Sequence, residues 1–189
     1  MTFGRKDKDL EGALVKKLLI VVDYQKDFVD GALGFPKAVE LEEGIYNKIK
    51  AYKDSSQEVI FTFDTHTEDY ITTQEGRKLP LPHCFKGSEG WKLYGRVAEL
   101  LEEGDKCFEK PAFGSLELGK YLSQSSYSSI ELVGLVSNIC VISNAIIAKA
   151  AIPEAEVVVD AACTASFDEV LNEKTLDVLE GLQIKVINR

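Results

Sequence analysis

Cys140 follows a short apolar run, residues 130–135 (IELVGL), and two good helix N-cap residues, Ser137 and Asn138. Residues 139–151 are then apolar and small, which predicts a strand turning directly into a helix with Cys140 in its first turn. A thiol there lies near unpaired backbone N–H groups and the positive end of the helix dipole. Both favour thiolate over thiol and lower the pKa from its usual value of about 8.5. The same N–H groups can hold the oxyanion of an acyl-transfer intermediate. The competing reading of Cys140 is a small buried hydrophobe.

Two further groups of residues suit chemistry. Asp64 and His66 are two apart on extended chain after residues 59–63 (VIFTF), so both side chains project to one side, as two ligands of one metal ion would. His83 is the only other histidine, and the carboxylates Glu68, Asp69 and Glu75 lie between the two imidazoles. Two imidazoles with carboxylate oxygens suit a divalent metal, Zn²⁺ first and Mn²⁺ or Fe²⁺ as alternatives. Asp23 ends the apolar run 18–22 (LLIVV), and Lys110 precedes Pro111, which biases its backbone to extended geometry. Next to a site cysteine, such a lysine stabilises a thiolate; elsewhere it is surface charge. Asp27, four residues after Asp23, reads as a cap of the following turn.

The elements that must position these residues alternate along the chain. Strands are expected at 18–22, 59–63, 106–109, 130–135, 156–159 and 184–187. Helices are expected at 38–52, 91–101, 115–123, 139–151 and 168–180, with a long irregular segment running up to Gly90. Strand–helix alternation implies an α/β fold, a Rossmann-like three-layer α/β/α arrangement with a mostly parallel central sheet. Acidic residues just past the carboxyl ends of its strands lie where such sheets build their sites. Residues 1–17 are mixed-charge and read as a leading helix or arm, an N-terminal extension to a domain at 18–189.

At 189 residues the chain is long enough for one domain with a real core. A net charge of −9 argues against a nucleic-acid backbone as partner. No apolar run reaches the roughly 18 residues needed to cross a bilayer, and the charged N-terminus has no signal-peptide core. The four cysteines, Cys84, Cys107, Cys140 and Cys163, show no metal-knuckle or redox spacing, so reduced thiols and a cytoplasmic location are expected.

Taken together, VVDYQKDF, DTH, PLPHCFKGSEGWKLYG, KPAFGS and GLVSNICV resemble the isochorismatase-like cysteine hydrolases, from about Leu18 to the C-terminus. The resemblance implies a triad in which Asp23 takes the thiol proton, Lys110 supports the charged state and Cys140 attacks an amide carbon. It also implies a cis peptide at Leu135–Val136 and an oxyanion hole from the N–H groups of Val136 and Cys140. Within the family, Asp64, His66 and His83 match the metal set of the nicotinamidase branch, with Glu75 as a fourth ligand and Glu68 or water as its alternative. Nicotinamide hydrolysis in NAD salvage is then the implied function, by way of a Cys thioester. Phe28, Trp91 and Phe113 are candidate walls for the flat ring, although each also suits ordinary packing.

The partner expected is a small-molecule amide, with neither nucleic acid nor membrane, and homo-oligomer assembly is left open. The competing functions are an amidase acting on another small amide and, in a different class, a nucleotide- or flavin-binding module. The second wants a Gly-rich phosphate turn after the first strand, and DYQKDF has no glycine there.

Overall fold

The five residues LLIVV carry no polar side chain, so a strand made from them can be buried on both faces. In the computed structural model, which describes residues 16–189, Leu18 to Val22 are fully buried at the centre of the sheet. The expected leading helix or arm falls outside the described residues up to residue 15, and Lys17 already belongs to the first strand. The strands are β1 (Lys17–Val22), β2 (Glu58–Asp64), β3 (Lys106–Lys110), β4 (Ser129–Leu135), β5 (Glu156–Ala165) and β6 (Lys185–Ile187). They form one sheet of order β3-β2-β1-β4-β5-β6 in which every pair is parallel.

Among the described residues, eight α-helices connect them. Before β3 come α1 (Lys26–Val29), α2 (Pro36–Glu40), α3 (Glu42–Asp54), α4 (Gln74–Lys78) and α5 (Gly95–Ala98). After it come α6 (Leu116–Ser123), α7 (Ile142–Ala151) and α8 (Glu169–Gly181). Because side chains alternate along β1, Leu19 and Val21 meet Ile45 and Ile49 of α3 on one face. Leu18, Ile20 and Val22 face Leu118 of α6, Ala145 of α7 and Leu176 of α8 on the other. This is the three-layer α/β/α arrangement. No helix among the described residues is long and apolar enough to cross a membrane.

Several expected boundaries move. The helix expected at 91–101 shrinks to α5, because the preceding backbone is taken up in pairing with the segment after β1. Lys26 N–H bonds Lys92 O (2.9 Å), Tyr94 N–H bonds Tyr24 O (2.9 Å), and Gln25 and Leu93 form an antiparallel bridge. The helix expected at 38–52 is divided at Leu41, yet Ala38, Leu41, Ile45 and Ile49 keep one buried face across the division. β5 continues to Ala165, past a register shift against β4 between Leu132 and Gly134. Gly134 has φ +108°, and a Cβ there would stand 2.0 Å from Val22 O, so only glycine lets β4 pass the end of β1.

Beneath α3, away from the strand ends, Lys48 Nζ lies 2.5 Å from both Glu131 Oε1 and Asp160 Oδ2, and Tyr52 OH donates to Glu131 Oε2 (2.7 Å). Both carboxylates are at least nine-tenths buried. Lys48→Ala leaves them without their cation, a loss expected to cost about 3–5 kcal/mol in urea unfolding. Lys185→Ala, which breaks an exposed pair with Glu156 on β5, should cost about 1 kcal/mol or less.

Candidate active site and metal centre

The carboxyl ends of β1 to β4 converge on the sheet's switch point, beside β1, where the connections turn to opposite faces. Asp23 leaves β1 with φ +43°, outside the usual range for a non-glycine residue. Thr62 of β2 fixes it there: Thr62 Oγ1 donates to Asp23 Oδ1 (2.7 Å), and Asp23 N–H donates to Thr62 O (3.2 Å). A threonine inside VIFTF is the polar signal that sequence reading passed over.

Lys110, the last residue of β3, is 1% exposed, and its ammonium is surrounded by acceptors. Nζ lies 2.6 Å from Asp23 Oδ2, 3.2 Å from Asp64 Oδ1, 3.1 Å from Ala112 O and 3.4 Å from Cys140 Sγ. Burial alone would lower its pKa, but the carboxylates of Asp23 and Asp64 outweigh burial and hold it well above the ordinary lysine value. Burial raises the Asp23 carboxyl, against the opposing pull of Lys110.

Cys140 sits in a π-helical turn, Ser137–Val141, that leads into α7, so the expected regular first turn is replaced by a wider one. The Leu135–Val136 peptide before it is cis. The expected lowering of the thiol pKa is reversed: burial pushes it well above the ordinary value, Lys110 pulls it down, and the Asp23 and Asp64 carboxylates push it up again. These surroundings favour the thiol over a standing thiolate and place carboxylates beside it. Asn144, one turn on, bonds Cys140 O (2.8 Å) and Phe113 O (3.1 Å) through Nδ2 and accepts from Ser115 N–H (3.0 Å). It ties the cysteine turn to the loop after Lys110.

Asp64, His66 and His83 are buried, and their ligand atoms all lie within 4.8 Å of one another. His66 Nε2 is 2.9 Å and His83 Nε2 3.4 Å from Asp64 Oδ2. His83 Nδ1 lies 2.8 Å from Leu81 O; because a carbonyl only accepts, Nδ1 carries the proton and Nε2 is left to bind. His66 Nε2 is buried and, although it lies beside Asp64 Oδ2, makes no aligned hydrogen bond, as two atoms turned toward a common ligand would not. Glu75, placed by α4, whose first turn Thr73 caps, brings Oε1 to 3.8 Å from His66 Nε2 and 3.9 Å from His83 Nε2. Glu68, the alternative, is exposed. The donor set, two imidazoles and one or two carboxylates, fits a divalent cation.

A cavity of about 130 Å³ joins the two groups: Cys140 and Val136 line one part, Asp64, His83 and Glu75 another, and Phe28 and Phe113 form walls. Phe28 also stacks edge-on against His83, with ring centroids 5.6 Å apart. Trp91 does not line this cavity. Its ring lies on Phe63 (5.0 Å between centroids), its Nε1–H donates to Thr65 Oγ1 (2.9 Å), and it faces a different cavity. Its place is taken by Leu33, Leu79, Ile139 and Phe167, which no motif had marked.

The Isochorismatase domain family matches residues 17–189. An uncharacterized isochorismatase-family protein, PncA, of Bacillus subtilis (strain 168) is 33% identical over 144 residues, 70% of this chain and 78% of that protein. The crystal structure of nicotinamidase PncA from Bacillus subtilis superposes with a TM-score of 0.79 at 28% identity, covering 90% of this chain and 98% of that one. The crystal structure of pyrazinamidase/nicotinamidase from Streptococcus mutans UA159 gives a TM-score of 0.81 at 26% identity, covering 91% of this chain and 100% of that one.

Proposed function

Since the chain belongs to the isochorismatase family and is an amidohydrolase, we propose that it hydrolyses nicotinamide to nicotinate and ammonia. The observation that carries this reading is Lys110, whose ammonium is within 3.4 Å of Asp23, Asp64 and Cys140 and so joins the nucleophile to the metal-ligand set. The solved relatives from Bacillus subtilis and Streptococcus mutans described above are named as a nicotinamidase and a pyrazinamidase/nicotinamidase.

In this reading Asp23 takes the Cys140 Sγ proton as sulfur attacks the amide carbon, and Lys110 balances the charge that forms. The backbone N–H groups of Val136 and Cys140 receive the oxyanion. The C–N bond breaks, Asp23 returns the proton to nitrogen, and ammonia leaves a thioester on Cys140. Water then attacks that carbon, Asp23 takes its proton and passes it to the departing sulfur, and nicotinate is released. A divalent metal held by Asp64, His66 and His83, with Glu75 alongside, supplies a Lewis-acid position for the pyridine nitrogen. Zn²⁺ is the first choice for these donors, with Mn²⁺ or Fe²⁺ next. Phe28 and Phe113, which line the same cavity, pack against the ring.

The catalytic domain, expected from residue 18, is assigned from Lys17, where both β1 and the family match begin. The reaction returns nicotinamide to NAD synthesis, and the four free cysteines suit a reducing cytoplasm. Ammonia release from nicotinamide, pyrazinamide, benzamide and an N-carbamoyl amino acid tests the substrate class. Highest yield from nicotinamide supports the assignment, and release from the carbamoyl compound alone overturns it.

A further inference from the structure

Asp23, Gln25 and Asp27 alternate along the segment that leaves β1, and only Asp23 belongs to the triad. Gln25 is fully buried and all its polar atoms are used. Its Oε1 accepts from Asp64 N–H (2.8 Å), while Nε2 donates to Asp64 O (3.0 Å) and Trp91 O (2.8 Å). β1 pairs with β2 as far as Val22 and Thr62 and then turns away at Asp23. The Gln25 amide therefore replaces the missing strand, gripping Asp64 through both of its backbone groups.

Asp27 does the same for the histidines, beyond the turn-capping role expected of it. Its Oδ2 accepts from Cys84 N–H (2.7 Å), beside His83, and Cys84 O accepts from His66 N–H (3.0 Å). Cys84 thus links the backbones of the two histidines, held at φ +47°. Gly90 passes so close to the Asp27 carboxylate that a Cβ would lie 2.1 Å from Oδ2, so the chain is shaped around this group.

We propose that Gln25 and Asp27 are positioning residues that hold Asp64, His66 and His83 in binding geometry before a metal ion arrives. The proposal rests on the metal reading of those three residues. Outer partners of this kind typically carry about 10–100-fold in metal affinity. Gln25→Glu sets a carboxylate against two carbonyl oxygens, and Asp27→Ala frees the Cys84 amide. Each should weaken Zn²⁺ binding to metal-free protein about 10–100-fold in competition with a chromophoric chelator. Asp27→Asn keeps an acceptor for Cys84 and should restore most of that loss, which a merely structural role does not require. In unmutated, metal-free protein the Asp64 and Cys84 amides should already exchange slowly with deuterium, so the proposal stays testable if a variant fails to fold. Variants that bind Zn²⁺ as the parent does, or amides protected only after Zn²⁺ is added, overturn the positioning role alone. A parent that binds no Zn²⁺ overturns the metal reading and this role with it.

Discussion

Cys140→Ala should lower kcat/KM for amide hydrolysis by on the order of 10⁴-fold or more, because loss of a nucleophile costs about as much as loss of the whole triad. Lys110 Nζ hydrogen-bonds this thiol, and the same ammonium holds Asp23. Cys107 lies exposed on β3 and neither it nor Cys163 lines the cavity, so neither is placed to attack. Cys140 is a small side chain at a turn whose backbone Asn144 secures, so the alanine variant should keep its circular dichroism and its Zn²⁺ affinity. Activity clearly above background in that variant would show that the reaction needs no thioester.

Asp23→Asn and Lys110→Ala should each cost on the order of 10²-fold or more, and the double variant little beyond the worse single one, because both act on one thiol. The variant Lys110→Ala also leaves two buried carboxylates facing each other, so its unfolding midpoint must be measured beside its rate. The pH profile gives the sign. Asp23 works as a base only when ionised, and burial raises its carboxyl, so activity is present above the raised pKa and lost as pH falls through it. The acid limb of kcat/KM should therefore lie above the ordinary carboxylate range, and Asp23→Asn should remove it. Two mild, additive losses with an unchanged acid limb would place the base elsewhere.

The strands were legible because burial leaves a direct mark on sequence: LLIVV and VIFTF have no other comfortable place than a covered sheet. The acid at the end of each run and the DTH spacing then marked the site, since strand ends and alternation fix where side chains point. What sequence reading missed depends on contacts between distant segments. Residues 91–101 have helical periodicity, but the backbone of residues 90–94 pairs with residues 24–27, and that pairing takes Trp91 away from the cavity. The helix dipole at Cys140 is a local effect, whereas the burial and the two carboxylates that outweigh it come from other strands. Gln25 and Asn144 were invisible for the same reason: their value lies in bonds to Asp64 and Ser115, across the fold.

The most direct measurement is kcat/KM for nicotinamide and for benzamide, which has the same shape and amide but no ring nitrogen, in Zn²⁺-loaded protein and after chelation. Nicotinamide should be much the better substrate of the loaded protein. Chelation, or His66→Ala, should weaken its turnover while leaving the residual benzamide rate nearly unchanged. Equal rates for the two amides in the loaded protein would contradict the nicotinamidase assignment.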